Sequence, residues 1–125
     1  MLNHQATLTA LVDTLLRDRC LTAGEDPAVW TEAITPFVTQ QRAKMPPLTG
    51  AAVRLLTLLL DAWPIARGTR PFHRLAPAER QAVTAAWRAS RLGPCRDLLR
   101  LHDSLVIFAW YTRREEPFMP NQSTM

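Results

Sequence analysis

The stretch "LTALVDTLLRDR", residues 8–19, decides the fold class. Its apolar side chains Leu8, Leu11, Val12, Leu15 and Leu16 recur at i, i+3, i+4, i+7 and i+8. That spacing lines one face of an α-helix, whereas a half-buried strand would alternate with period 2. Asp13, Arg17 and Asp18 fall largely on the other side. The period predicts a helix over residues 7–19.

The same reading extends along the chain, with proline as punctuation. There are 10 prolines and only 4 glycines, and no Asn-Gly or Asp-Gly hairpin turn occurs, which argues against a sheet protein. Proline fits the first helical turn, where its missing N–H costs nothing. In "EDPAVW" Asp26 reads as an N-cap and Pro27 as the first helical residue. Pro36 predicts a break or kink, with a second piece containing Phe37 and Val38 running to about residue 44. "MPPLTG" reads as a linker, Thr49 as a cap and residues 50–62 as a third helix. This "AAVRLLTLLLDAW" stretch is apolar nearly all round, so it predicts burial between the other helices. Its leucine run is too short to span a bilayer, which needs about 20 residues.

Residues 64–77 read as a loop. Glu79 suits the first turn of a fourth helix with Val83, Ala86, Trp87 and Ser90 on one side. Pro94 opens a fifth helix, to about residue 111, on a stripe of Leu98, Leu101, Leu105 and Phe108. The tail "EEPFMPNQSTM" has no period. The expectation is an all-α, compact bundle of five or six short helices. One helical domain would span residues 1–116, and residues 117–125 would form an extended arm.

Charge is unevenly placed. The net charge is +4, and residues 67–100 hold eight arginines against Glu79 and Asp97. All basic residues but Lys44 are arginine, the side chain suited to bidentate grip on carboxylate or phosphate. Arg88, Arg91, Arg96 and Arg100 lie beside an aromatic helix end, Trp110 and Tyr111, and an aperiodic Phe118 and Met119. Trp110 and Tyr111 are adjacent and cannot both face one side of a helix. Arg, Trp and Tyr are enriched in protein–protein contacts, so these eight residues are the candidate partner-binding set.

Signals for chemistry on this chain are weak. Cys20 and Cys95 form no CxxC or zinc spacing and read as reduced, buried thiols. His4, His73 and His102 have no ligand-spaced neighbours. His102 beside Asp103 is the one pairing with proton-relay character, and a core or helix-surface role is the expected one. Ser90 has no activating base and reads as closing the fourth helix. No catalytic, cofactor-binding or metal residues are assigned.

Residues 72–111, "FHRLAPAERQAVTAAWRASRLGPCRDLLRLHDSLVIFAWY", carry a resemblance. Phe72 and Leu75 precede a helix start Ala76-Pro77-Ala78-Glu79-Arg80. Trp87 and Ser90-Arg91 follow, then Arg96 and an aromatic close of Phe108, Trp110 and Tyr111. This pattern resembles the helical segment preceding the flavin domain in long-chain alcohol oxidase-like glucose–methanol–choline (GMC) oxidoreductases. It also resembles the separate small subunit related to gluconate 2-dehydrogenase subunit 3. "LTALVDTLL" and "LLTLLLD" resemble that family's opening and middle helices. The resemblance implies a non-catalytic small subunit that binds and stabilises a GMC-type FAD-dependent alcohol or sugar dehydrogenase. FAD and catalysis would lie on the partner.

No GxGxxG flavin fingerprint occurs in these residues, and the twin-arginine signal of exported relatives is missing, so the expected localisation is cytoplasmic, or periplasmic only if carried by a partner. The alternative is a free-standing basic helical DNA-binding protein, in which the fourth helix would offer Arg80, Gln81 and Arg88 to bases.

Overall fold

The structure is a computed structural model that describes residues 3–20 and 25–115. It contains α1 (His4–Arg19), α2 (Pro27–Ala43), α3 (Pro47–Ala66), a 3-10 turn (Phe72–Arg74), α4 (Pro77–Arg88) and α5 (Gly93–Glu115). Among the described residues there is no strand, so the all-α bundle holds. The arm at 117–125 lies outside the described residues.

The expected stripe of α1 is the centre of the core. Leu8, Leu11, Val12, Leu15 and Leu16 are all buried. α1 touches each of the other four α-helices and the 3-10 turn. It therefore has little solvent face, and Thr7, Asp13 and Thr14 are buried with the leucines. Thr14 Oγ1 donates to the Ala10 carbonyl at 2.8 Å, which satisfies its hydroxyl inside the helix.

Three boundaries differ from the sequence reading. α1 starts earlier, because Asn3 Oδ1 accepts from the Ala6 N–H at 2.9 Å and caps the first turn. α2 starts as expected, with Asp26 Oδ1 accepting from Ala28 N–H at 3.0 Å, but it runs unbroken through Pro36. The carbonyl that Pro36 deprives of a donor belongs to Glu32, and both residues are exposed, so that carbonyl lies on the solvent side of the helix. α3 begins at Pro47, with Pro46 rather than Thr49 in the cap position. Pro47 presets the first-turn φ. α3 then runs past Trp63 and Pro64 and ends at a Schellman motif. There Gly68 takes φ 87°, Gly68 N–H donates to Ile65 O at 2.9 Å and Thr69 N–H to Pro64 O at 3.0 Å.

The larger correction concerns α3 itself. Its buried face is Val53, Thr57, Leu60, Asp61 and Pro64. Leu48, Leu55, Leu59, Trp63 and Ile65 are exposed. The helix turns two polar residues inward beside Leu60, and Leu48, Leu55 and Leu59 outward. It does so because Thr57 and Asp61 find partners in the bundle: Thr57 Oγ1 donates to Val53 O at 2.7 Å and accepts from Arg42 Nη2 at 3.0 Å, while Asp61 accepts from Asn3 and His73. By length and composition alone this 20-residue helix is also apolar enough to cross a membrane.

Candidate partner-binding surface

The four candidate arginines separate into different environments. Arg88 is drawn into the bundle. Its Nη2 and Nε reach Asp103 at 2.9 and 3.2 Å, and its Nη1 reaches Asp18 at 2.8 Å. This guanidinium joins α4 to α5 and α1, so its charge is already balanced within the chain. Arg96 Nη1 donates to the Ser90 carbonyl at 2.8 Å and closes the α4–α5 turn. Arg91 and Arg100 are exposed, with Arg100 only 3.8 Å from Asp97 on its own helix.

Because Arg88 answers two carboxylates, its loss leaves Asp18 and Asp103 with only the more distant Arg19 among the described residues, 3.8 Å from each. Arg88→Met is expected to lower stability by about 1–3 kcal/mol, read as a shift of the urea midpoint with unchanged slope. Arg91→Met serves as the exposed comparison and is expected to stay within about 0.5 kcal/mol of the parent.

The aromatic end of α5 divides as the helical period requires. Trp110 is buried, its ring 6.2 Å from Trp30 and 5.0 Å from Tyr111. Tyr111 and Phe108 stay exposed, with Phe108 5.8 Å from the Phe37 ring on α2. Phe118 and Met119 lie outside the described residues. Trp110 is thus part of this chain's own core.

Most of the exposed large apolar side chains among the described residues lie on α3, and none of these was on the candidate list. Leu48, Leu55, Leu59 and Trp63 recur at spacings of 7, 4 and 4 along one helix side, and Ile65 is exposed on another. Leu55 is 59% and Leu59 48% exposed. At the end of the stripe the Arg67 guanidinium lies 5.4 Å above the Trp63 ring, and Trp63 meets buried Trp87 edge-on at 5.9 Å. This stacking holds the indole in place at the rim of the face. Exposed apolar patches occur at contact surfaces, ligand grooves and aggregation-prone faces.

A second feature is a buried pair. Asp61 on α3 has no solvent exposure. It accepts from His73 Nδ1 at 2.8 Å, from the His73 backbone N–H at 3.0 Å and from the Asn3 N–H at 3.2 Å. A carboxylate only accepts, so His73 carries its proton on Nδ1. His73 borders an open groove between α1 and α2 that is also lined by Thr9, Thr31, Thr35 and Arg80. The pair ties α3 to the 3-10 turn and to the cap of α1. The sequence signal for it was a lone aspartate in a run of leucines.

Cys20 and Cys95 are unpaired thiols. Burial, helped by Asp103 and Glu25, pushes the Cys20 thiol up to about 11, so it stays protonated at neutral pH. Among the described residues no three His, Cys, Asp or Glu side chains gather at metal-binding distance.

No protein-family model, curated protein or solved structure matches this chain.

Proposed function

We propose that this chain is a non-catalytic subunit that packs on a larger protein through the outer face of α3. The sequence resemblance makes that protein a GMC-type FAD-dependent alcohol or sugar dehydrogenase, holding the flavin and the catalytic residues. The observation that carries the docking reading is the inverted α3. A helix that hides Thr57 and Asp61 and exposes Leu55, Leu59 and Trp63 has its apolar side turned toward something other than its own bundle. Phe108 and Tyr111 are the exposed members of a second, aromatic patch on α5.

The DNA-binding alternative has less support. Arg67 stacks on Trp63, Arg80 Nη2 lies 3.1 Å from Asp13, Arg88 bonds Asp18 and Asp103, and Arg96 bonds Ser90. Half of the arginines in the basic segment are thereby engaged inside the chain.

Co-expression with a GMC-type flavoprotein from the same genome is the test. The two are expected to co-purify with bound flavin on the larger chain. Leu59→Glu is expected to weaken the complex at least about tenfold, as for a charge forced into a hot spot. Its own stability is expected to stay within about 0.5 kcal/mol, because Leu59 is half exposed. Failure to co-purify, or binding of wild type but not Leu59→Glu to lipid vesicles in place of the protein, would sink this reading.

A further inference from the structure

The N-terminus of α1, the C-terminal end of α2 and the first turn of α3 enclose a recess of about 490 Å³. Two arginines border it, Arg42 and Arg54, together with His4. No carboxylate lines it, and neither arginine makes an ion pair among the described residues.

Arg42 is the unusual member. Its Nη2 donates to His4 Nε2 at 2.7 Å and to Thr57 Oγ1 at 3.0 Å, both neutral acceptors. Its Nη1 is buried and has no hydrogen-bond partner. Burying a guanidinium is costly unless an opposite charge or full hydrogen bonding compensates, and here neither is present. Arg54, two turns into α3, adds a second positive charge. Burial and the nearby Arg54 hold the Arg42 guanidinium down to about 10. Burial, Arg42 and Arg54 together push the His4 imidazole below its ordinary value. Pro47, Gly50 and Ala51 from the start of α3 form one wall of the same recess; the Gly50 N–H already donates to Pro46 O at 2.8 Å, so α3 contributes the positive end of its dipole rather than a free N–H.

We propose that this recess is an oxyanion-binding site that takes a phosphate group, free or as a small phosphate ester, between Arg42, Arg54 and the N-terminus of α3. Two guanidiniums and a helix N-terminus match a dianion, whereas a monocarboxylate would leave net positive charge behind. The site is distinct from the outer face of α3 and does not depend on the flavoprotein reading.

Gly50 supplies a direct control. A Cβ built there meets nothing within 4 Å, so an aspartate fits without displacing its neighbours and places a carboxylate at the recess. The experiment is calorimetric titration of the whole chain with inorganic phosphate and, separately, with glycerol phosphate. Ionic strength is held constant with sodium chloride. Wild type is expected to bind phosphate and to melt at a higher temperature in its presence. Arg54→Gln, at an exposed position, is expected to weaken binding about tenfold or more. Gly50→Asp is expected to remove the response to phosphate while staying folded, and Arg91→Gln to leave it unchanged. Tighter binding of the ester than of the free ion assigns the site to an esterified ligand; equal binding assigns it to the ion. No phosphate binding by wild type, or equal binding by wild type, Arg54→Gln and Gly50→Asp, overturns the proposal.

Discussion

Asp61→Ala is expected to lower the stability of the bundle by about 3–5 kcal/mol, the range for removing one side of a buried charged hydrogen-bonding group. The carboxylate is fully buried and serves three donors, the Asn3 N–H, the His73 N–H and His73 Nδ1–H. Alanine leaves all three facing a cavity with no acceptor. The loss falls on three elements together, because Asn3 caps α1 and His73 sits in the turn that returns the chain to α4. Asp61→Asn retains one acceptor oxygen and turns an amide N–H₂ toward a donor, so it is expected to fall between alanine and wild type. Urea unfolding followed by circular dichroism reads both values. An Asp61→Ala midpoint matching that of an exposed control such as Asp97→Ala would show that the three hydrogen bonds contribute nothing.

The second large effect is loss of stability in mild acid. His102 on α5 is fully buried, and its Nδ1 lies 2.8 Å from the Leu98 carbonyl. That carbonyl only accepts, so Nδ1 carries a proton. Burial drives the imidazole from about 6.5 down to about 4. The Leu98 bond opposes the shift, as does Asp103 on the same helix, while Arg42 on α2 and His4 on α1 reinforce it. Between these two values the unfolded chain carries the proton and the folded chain does not. Unfolding therefore takes up a proton, and stability falls as pH drops from about 6.5 toward 4. The slope approaches about 1.4 kcal/mol per pH unit and the total is about 3 kcal/mol. His4 is shifted in the same direction and steepens the fall. Above about pH 7 the histidine term is flat. His102→Met keeps an apolar side chain of similar bulk, and is expected to be less sensitive to acid than wild type between pH 6.5 and 4. Parallel stability–pH curves for the two proteins would remove His102 from the account.

The helical class and the central stripe were legible because the period of α1 is local information. The opposite faces of Trp110 and Tyr111 followed from geometry alone. The role of α3 was not legible. Apolar residues nearly all round the helix suggested burial, and the usual rule places the polar side toward water. Here Val53, Thr57, Asp61 and Pro64 make the inner face because Arg42, Asn3 and His73 come to meet it from elsewhere in the chain. The pairing of Arg88 was hidden for the same reason. It read as one of the partner-binding arginines, and the sequence did not show that Asp18, 70 positions away, and Asp103, 15 away, both return to it in space. Pro36 was read as a break from its identity, whereas its outcome depended on which side of α2 faced solvent.

The way α3 is mounted separates two demands that most helices must satisfy with the same side chains. Directional bonds at Thr57 and Asp61 anchor it, and no leucine on its far side takes part in that anchoring. Substitutions among Leu48, Leu55 and Leu59 can therefore alter the outer surface without deciding whether the molecule folds. That surface is free to drift, while the inward aspartate and threonine have no comparable latitude.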